Sequence, residues 1–247
     1  MIIDRTEHPE WLTNAYLLAE QAGGYGVVID ANDVLEPLLE RIEEDQISIT
    51  HILLTHHHPD HVASLDRYRE RFDVPVLAHA ETAAVLGGGV VDEIIEDGAV
   101  ISSGGLRIRA IYTPGHCLGH LAFLVNEDCF TADVLFDGTV GGTQPPSADG
   151  DYESLKHSVM ERLMTLPPQT RVHPGHKGPT TIGAEWESNP FIRMWRGLDS
   201  EGAEPCKVKG EPATLLLWAD DYDGGNKALV RFPSGEVDIA YGSKVER

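Results

Sequence analysis

The sequence predicts an α/β fold, and two features of its pattern support this. Short apolar runs bounded by turn residues recur through most of the chain, as expected for buried strands. Between them lie segments whose apolar residues recur at helical spacing, and strands that alternate with helices are typical of an α/β domain. With 247 residues the chain can bury a sizeable core. We therefore expect one large α/β domain with a small appendage.

The individual elements follow from these runs. Pro37 is compatible with a predicted helix over Val34–Ile42 only if it lies in the first turn. A second helix is predicted over Tyr152–Leu166, because the two prolines that follow, starting at Pro167, end it. Six runs are predicted to be strands: Tyr16–Leu18, Val27–Ile29, Ile47–Leu54, Val74–Leu77, Leu106–Tyr112 and Leu121–Val125.

The pattern changes near residue 204. Short strand-like runs over Ala213–Ala219, Lys227–Phe232 and Glu236–Tyr241 are joined by turn-rich segments. We therefore place a domain boundary here, with residues 1–203 as the α/β domain and 204–247 as a small β-rich extension. Three roles stay open for the extension: it could cover the mouth of a site, form a dimer contact or cap a sheet edge.

Composition and charge exclude several function classes. The formal net charge is −21, from 40 acidic and 19 basic residues, so the chain would repel the phosphates of a nucleic acid. The three cysteines, Cys117, Cys129 and Cys206, have no C-x-x-C spacing, which argues against a disulfide framework or a cysteine-rich zinc module. With charged residues near the N-terminus and no membrane-length apolar stretch, we expect a cytoplasmic protein.

A histidine-rich segment, Thr55–His61, follows the predicted strand that ends at Leu54. It places four groups that can bind a metal, His56, His58, Asp60 and His61, within six positions. Open α/β sheets usually bind ligands at such strand ends. A solvated histidine-rich turn is the competing interpretation, so this segment alone is moderate evidence.

Three further residues strengthen the metal interpretation, because each lies just beyond a strand-like run. His116 follows Leu106–Tyr112 through a short turn, Asp133 follows Cys129–Ala132, and His176 comes after Thr170–Val172. Imidazoles and carboxylates together favour Zn²⁺ or a similar ion, whereas Ca²⁺ prefers oxygen ligands throughout.

This ordered set resembles the signature of the metallo-β-lactamase superfamily. Within it, Thr113–His116, Phe130–Phe136 and Val172–Phe191 look most like glyoxalase II-type thioesterases and the related persulfide dioxygenases. The resemblance implies a four-layer αββα sandwich. It also implies two divalent metal ions, one held by His56, His58 and His116, the other by Asp60, His61 and His176, with Asp133 bridging both.

The resemblance also implies a reaction. Two ions, with zinc favoured and iron or manganese as alternatives, would hold a hydroxide between them for attack on a small thioester, ester or lactone. Asp60, His61 and Asp133 are then expected to take part in catalysis. The expected partner is a small-molecule substrate, with neither nucleic acid nor membrane, and a homodimer stays open. The main alternative is a mononuclear iron oxygenase of the persulfide dioxygenase kind.

The sequence also departs from glyoxalase II-like relatives. Where these tend to carry Gly-Arg-Thr-Asp after the bridging aspartate, this chain has Gly141–Gln144, which lacks the arginine and the acid. The helical C-terminal region that helps glyoxalase II bind glutathione is replaced by the β-rich extension. Among the other candidates, His57 is expected to pack rather than bind metal, and Asp30 either orients the histidine segment or caps a turn or helix.

Overall fold

The computed structural model describes residues 1–144 and 149–247. Within this part of the chain, no helix is long and apolar enough to cross a membrane. The cytoplasmic location, the small-molecule substrate, the homodimer and the boundary at residue 203 stay predictions. The chain forms two compact units: the first comprises Met1–Tyr112, Gly119–Ala132 and Gly175–Lys177, and the second comprises Thr113–Leu118, Asp133–Pro174 and Gly178–Arg247.

A six-stranded sheet, with strands in sequence order β1 to β6, opens the chain. The first three strands are antiparallel, whereas β3 to β6 run parallel, as crossover connections require. Its strands are β1 (Ile2–Glu7), β2 (Asn14–Ala19), β3 (Tyr25–Ile29), β4 (Ser48–Leu53), β5 (Val76–Ala78) and β6 (Glu93–Ile94).

A second six-stranded sheet has the order β14-β13-β10-β9-β8-β7. Strands β7 to β10 form an antiparallel meander, and β13 pairs antiparallel with β14. Its strands are β7 (Val100–Ser103), β8 (Leu106–Tyr112), β9 (Leu121–Val125), β10 (Asp128–Ala132), β13 (Arg171–Pro174) and β14 (Thr180–Thr181); β11 (Leu135–Phe136) and β12 (Thr139–Val140) form a separate hairpin.

The first sheet is buried on both faces within the first unit. Because side chains alternate across a strand, Leu17 and Leu18 enter different cores. Leu17 packs with Leu38 of a covering helix, whereas Leu18 packs with Phe123 of the second sheet. Burying each such side chain contributes about 1.5–3 kcal/mol. These two cores therefore fix the strand ends from which the histidine segment emerges.

The helices lie between the strands. Pro37 stands in the first turn of the first helix, as expected, and the predicted second helix ends as a π-helical segment, Ser158–Leu163. The α-helices are α1 (Glu36–Glu44), α2 (Pro59–Val62), α3 (Leu65–Phe72), α4 (Ala80–Leu86), α5 (Tyr152–His157), α6 (Ile182–Ser188) and α7 (Pro190–Trp195).

The C-terminal segment is β-rich, as its pattern indicates. It forms a five-stranded sheet of order β18-β17-β16-β15-β19, which belongs to the second unit. A 3₁₀ turn, Gly242–Lys244, precedes the last strand. The strands are β15 (Glu204–Val208), β16 (Glu211–Asp220), β17 (Asn226–Arg231), β18 (Val237–Tyr241) and β19 (Val245–Glu246). We refer to these five strands as the C-terminal sheet.

Candidate metal centre

The histidine segment leaves β4 and turns directly into the short helix α2, which begins at Pro59. Proline is well suited to the first helical position, so the chain reverses here without losing a hydrogen bond. His56 and His61 are fully buried, and His56 Nε2 lies 3.0 Å from His58 Nδ1. His56 Nε2 and His58 Nδ1 are therefore close enough to bind the same metal ion.

Asp30, at the end of β3, orients this segment. Its carboxylate accepts hydrogen bonds from the Thr55 backbone N–H at 2.8 Å and from Thr55 Oγ1 at 2.7 Å. The same carboxylate lies 2.8 Å from His61 Nδ1. Because a carboxylate can only accept, the His61 proton stays on Nδ1, which leaves Nε2 as a lone-pair donor. Of the two roles predicted for Asp30, the structure shows the orienting one.

Asp60, His61 and His176 come together in the first unit, where their ligand atoms lie within 4.8 Å of one another. Asp60 Oδ2 lies 3.7 Å from His61 Nε2 and 3.6 Å from His176 Nε2. Thr13 Oγ1 donates a 2.6 Å hydrogen bond to Asp60 Oδ2, and His176 Nδ1 lies 2.9 Å from the Trp11 carbonyl oxygen. The turn between β1 and β2 thus holds two of the three predicted ligands.

His116 and Asp133 come together in the second unit. His116 Nε2 lies 3.5 Å from Asp133 Oδ2, and both side chains are buried. On the far side of the ring, His116 Nδ1 lies 2.9 Å from the Gly142 carbonyl oxygen. A carbonyl can only accept, so His116 also keeps its proton on Nδ1 and directs the Nε2 lone pair toward Asp133.

Each unit brings predicted metal ligands together. The first unit holds Asp60, His61 and His176, whose ligand atoms lie within 4.8 Å of one another, and the His56–His58 pair; the second unit holds the His116–Asp133 pair. The Asp133 carboxylate, buried beside His116, is costly to bury unless a cation compensates its charge. Mixed imidazole and carboxylate donors are those that zinc and similar divalent ions prefer, so the residues fit such a metal.

Two histidines outside the predicted ligand set, His79 and His120, make structural contacts. His79 accepts a 3.3 Å hydrogen bond from the Glu81 backbone N–H, caps α4 and stacks on Tyr112 with ring centroids 4.6 Å apart. Burial lowers the pKa of His79 below its usual value. His120 is buried and stacks against His56 at 5.1 Å, so it packs behind a predicted ligand.

Sequence reasoning missed three groups that position the ligands: Thr13, the Trp11 carbonyl and the Gly142 carbonyl. Backbone carbonyls carry no sequence signal, and Thr13 lies 47 residues before the Asp60 carboxylate that it contacts. The sequence shows that Gly141 and Gly142 lie in a segment that departs from glyoxalase II-like relatives. The contact of the Gly142 carbonyl with His116 is seen only in the structure.

Comparison with known proteins places this geometry in a family. Residues 8–176 match the model of the metallo-beta-lactamase superfamily, which is more than half of the chain. The chain belongs to the metallo-β-lactamase superfamily. The matched residues include every predicted ligand, and members of this superfamily are mostly metal-dependent hydrolases that bind divalent ions.

Individual superfamily members resemble the chain over most of its length. Hydroxyacylglutathione hydrolase GloC of Haemophilus influenzae is 33% identical over 184 residues, which is 67% of this chain and 86% of that protein. TTHA1623, solved in a di-iron-bound form, is 34% identical with a TM-score of 0.65, over 76% of this chain and 99% of that one. ETHE1 from Myxococcus xanthus is 28% identical with a TM-score of 0.71, over 78% and 85% respectively. The predicted metallo-β-lactamase fold class is thereby confirmed.

Proposed function

We propose that this protein is a di-metal hydrolase of a small thioester, ester or lactone. In this proposal His56, His58 and His116 hold one ion, Asp60, His61 and His176 hold the second, and Asp133 is shared. The observation that carries it is the arrangement of the imidazoles. His61, His116 and His176 each have Nδ1 against a fixed acceptor and Nε2 toward a carboxylate, which is how metal-binding histidines are usually held.

The residues would prepare the site for attack by water. A bound divalent pair supplies a water of pKa near 7 and polarises the scissile carbonyl. Asp30 and the Gly142 carbonyl accept from Nδ1 of His61 and His116, so that each ring presents its Nε2 lone pair to the metal. Thr13 fixes one oxygen of Asp60 by its 2.6 Å hydrogen bond, so that the carboxylate does not rotate as the substrate enters.

A thioester suits this set of residues. A thiol of pKa about 8.5 leaves as thiolate with little need for a general acid, whereas an amide nitrogen needs a proton before it can leave. The similarity to hydroxyacylglutathione hydrolase GloC supports the same class of substrate. At Gly142, an added Cβ would lie 3.3 Å from the Tyr241 ring, so the ring occupies room that the arginine of glyoxalase II-like relatives would need. We therefore propose a thioester whose thiol part is not glutathione.

A mononuclear iron oxygenase of the persulfide dioxygenase kind is the second candidate. It would use His56, His116 and Asp133 as two imidazoles and one carboxylate, an arrangement that suits non-haem iron. The likeness to ETHE1 favours it. The compact group of Asp60, His61 and His176 favours two ions instead, because a mononuclear centre would leave these three without a metal.

Metal analysis combined with a substrate panel tests the proposal. The full chain is loaded separately with zinc, manganese or iron, its metal content is measured, and it is assayed on thioesters, esters, lactones and phosphate esters. We expect two ions per chain and hydrolysis of a thioester. Replacement of His58→Ala should abolish hydrolysis, whereas His57→Ala, in the same segment, should retain it. One iron per chain with oxygen consumption on a persulfide would overturn the hydrolase.

A further inference from the structure

The C-terminal sheet holds the segment Val140–Gln144, here called the glycine segment, at two points. Lys227 Nζ, on β17, donates a 2.6 Å hydrogen bond to the Val140 carbonyl oxygen. Further along, the Thr143 backbone N–H donates to the Ile239 carbonyl at 3.2 Å, and the Ile239 N–H donates to Thr143 Oγ1 at 3.0 Å. Thr143 Oγ1 also donates to the Asp238 carboxylate.

Between these two points the glycine segment touches both ligands of the second unit. The Gly142 carbonyl oxygen lies 2.9 Å from His116 Nδ1. Gly141 donates its N–H to the Val134 carbonyl at 3.2 Å, and a Cβ at position 141 would come within 2.0 Å of the Asp133 carbonyl oxygen. The segment is therefore pressed against Asp133 on one side and anchored to the C-terminal sheet on the other.

Lys227 is unusual because its ammonium is fully buried. It forms an ion pair with Asp221 Oδ1 at 3.0 Å and lies 5.2–5.5 Å from the ring centroids of Phe136, Tyr222 and Tyr241. A buried ion pair is weak evidence of stabilisation, since apolar side chains of similar volume often serve as well. An apolar side chain, however, could not hold the Val140 carbonyl.

We infer that the C-terminal sheet is a positioning module for the metal centre. Lys227 and Thr143 fix the glycine segment so that the Gly142 carbonyl holds the His116 ring and its tautomer. The inference rests on the proposed metal site but not on the identity of the substrate. It assigns to Glu204–Glu246, which lies beyond the matched residues 8–176, a part in metal binding.

Metal affinity of the full chain tests this inference. Co²⁺ and Zn²⁺ are titrated into wild type, Lys227→Met and Thr143→Val, with dissociation constants from chelator competition and ligand geometry from the visible spectrum of bound Co²⁺. We expect each variant to bind one ion about tenfold more weakly, with an altered Co²⁺ spectrum, as for other residues that orient a metal ligand.

The control is Val230→Ala. Val230 is buried in the same strand as Lys227 and packs in an apolar cluster with Leu215 and Ala240. Truncating its side chain should therefore lower stability without touching the glycine segment. All titrations are made well below the melting temperatures. Because Lys227→Met leaves Asp221 buried without its ammonium, the double variant Lys227→Met/Asp221→Asn is included, and it should show the same weakened site with better folding.

The inference would be overturned if folded Lys227→Met and Thr143→Val bound both ions with the metal affinity of wild type and gave its Co²⁺ spectrum. It would also be overturned if Val230→Ala lost as much metal affinity as these two variants. A wild type that binds no metal would overturn both this inference and the proposed function. If wild type binds two ions without hydrolysing any thioester, ester or lactone, and the variants still bind one ion more weakly, the inference is supported while the proposed function fails.

Discussion

Replacing Asp30 by asparagine should disable one metal position without disturbing the fold. Asp30 has a φ of +60°, a conformation that asparagine tolerates better than most residues, so the substitution adds little backbone strain. The amide oxygen can still accept from the Thr55 N–H, which Asp30 now binds at 2.8 Å. The amide NH₂, however, would face His61 Nδ1 and favour the tautomer whose proton lies on Nε2.

The loss is one hydrogen bond between a carboxylate and an imidazole, 2.8 Å long in the structure. Such bonds contribute about 1.5–3 kcal/mol. Since 1.4 kcal/mol corresponds to a factor of ten, we expect Asp30→Asn to weaken the ion held by Asp60, His61 and His176 by about 10- to 100-fold. The other ion should lose less affinity, because Asp30 touches its predicted ligand His56 indirectly, through Thr55 Oγ1, which lies 3.0 Å from His56 Nδ1.

Chelator competition with Zn²⁺ measures both affinities. Asp33→Asn is the matched control, because Asp33 lies on the same loop, accepts a 2.9 Å hydrogen bond from Ser64 Oγ and is exposed. It should bind metal as wild type does. The orienting role of Asp30 would be refuted if Asp30→Asn bound both Zn²⁺ ions as tightly as wild type does. It would also be refuted if Asp33→Asn lost as much Zn²⁺ affinity as Asp30→Asn.

Three further predictions follow from single contacts. Thr13→Val removes the 2.6 Å hydrogen bond to Asp60 and should lower kcat/KM of the metal-saturated protein about tenfold at an unchanged melting temperature; an unchanged kcat/KM would show that Asp60 needs no such support. Burial lowers the pKa of His79 below its usual 6.5, against the opposing charges of Glu81 and Glu96, so its stabilising contribution is present above pH 6.5 and lost as the pH falls below. Asparagine at position 79 can keep the helix cap. In urea titrations, the free energy of unfolding of His79→Asn should therefore fall less steeply below pH 6.5 than that of wild type, and an equally steep fall would contradict this. Burial also raises the pKa of Cys129 to about 12, so a thiol reagent at pH 8 should label it only after denaturant is added; labelling of the native protein would be inconsistent with its burial.

Strands with apolar runs between clear turns were predictable from the sequence. Leu106–Tyr112 and Leu121–Val125 match β8 and β9 at both ends, because Gly105 and Gly119 lie close before them. The first strand, Ile2–Glu7, was missed because it lies at a sheet edge and its side chains are mostly half-buried, which leaves no apolar alternation to detect.

The candidate metal ligands could be proposed from the sequence because each follows the end of a strand-like run, but the contacts that position their side chains could not. Thr13 donates directly to Asp60 and also forms an isolated β-bridge with His176, and only the tertiary fold creates these two contacts. Lys227 gives no sequence signal of burial either, because lysine is normally exposed. The role of the C-terminal sheet could not be predicted from the sequence either, because its contacts with the glycine segment arise only in the tertiary fold.

Locating the metals directly tests the central claim, that these side chains grip a pair of divalent ions. Crystals of the zinc-loaded protein, measured at the zinc absorption edge, should show two anomalous peaks. One peak should contact His56, His58 and His116, the other Asp60, His61 and His176, with Asp133 touching both. A single peak, or an Asp133 carboxylate in contact with neither ion, would contradict the di-metal centre.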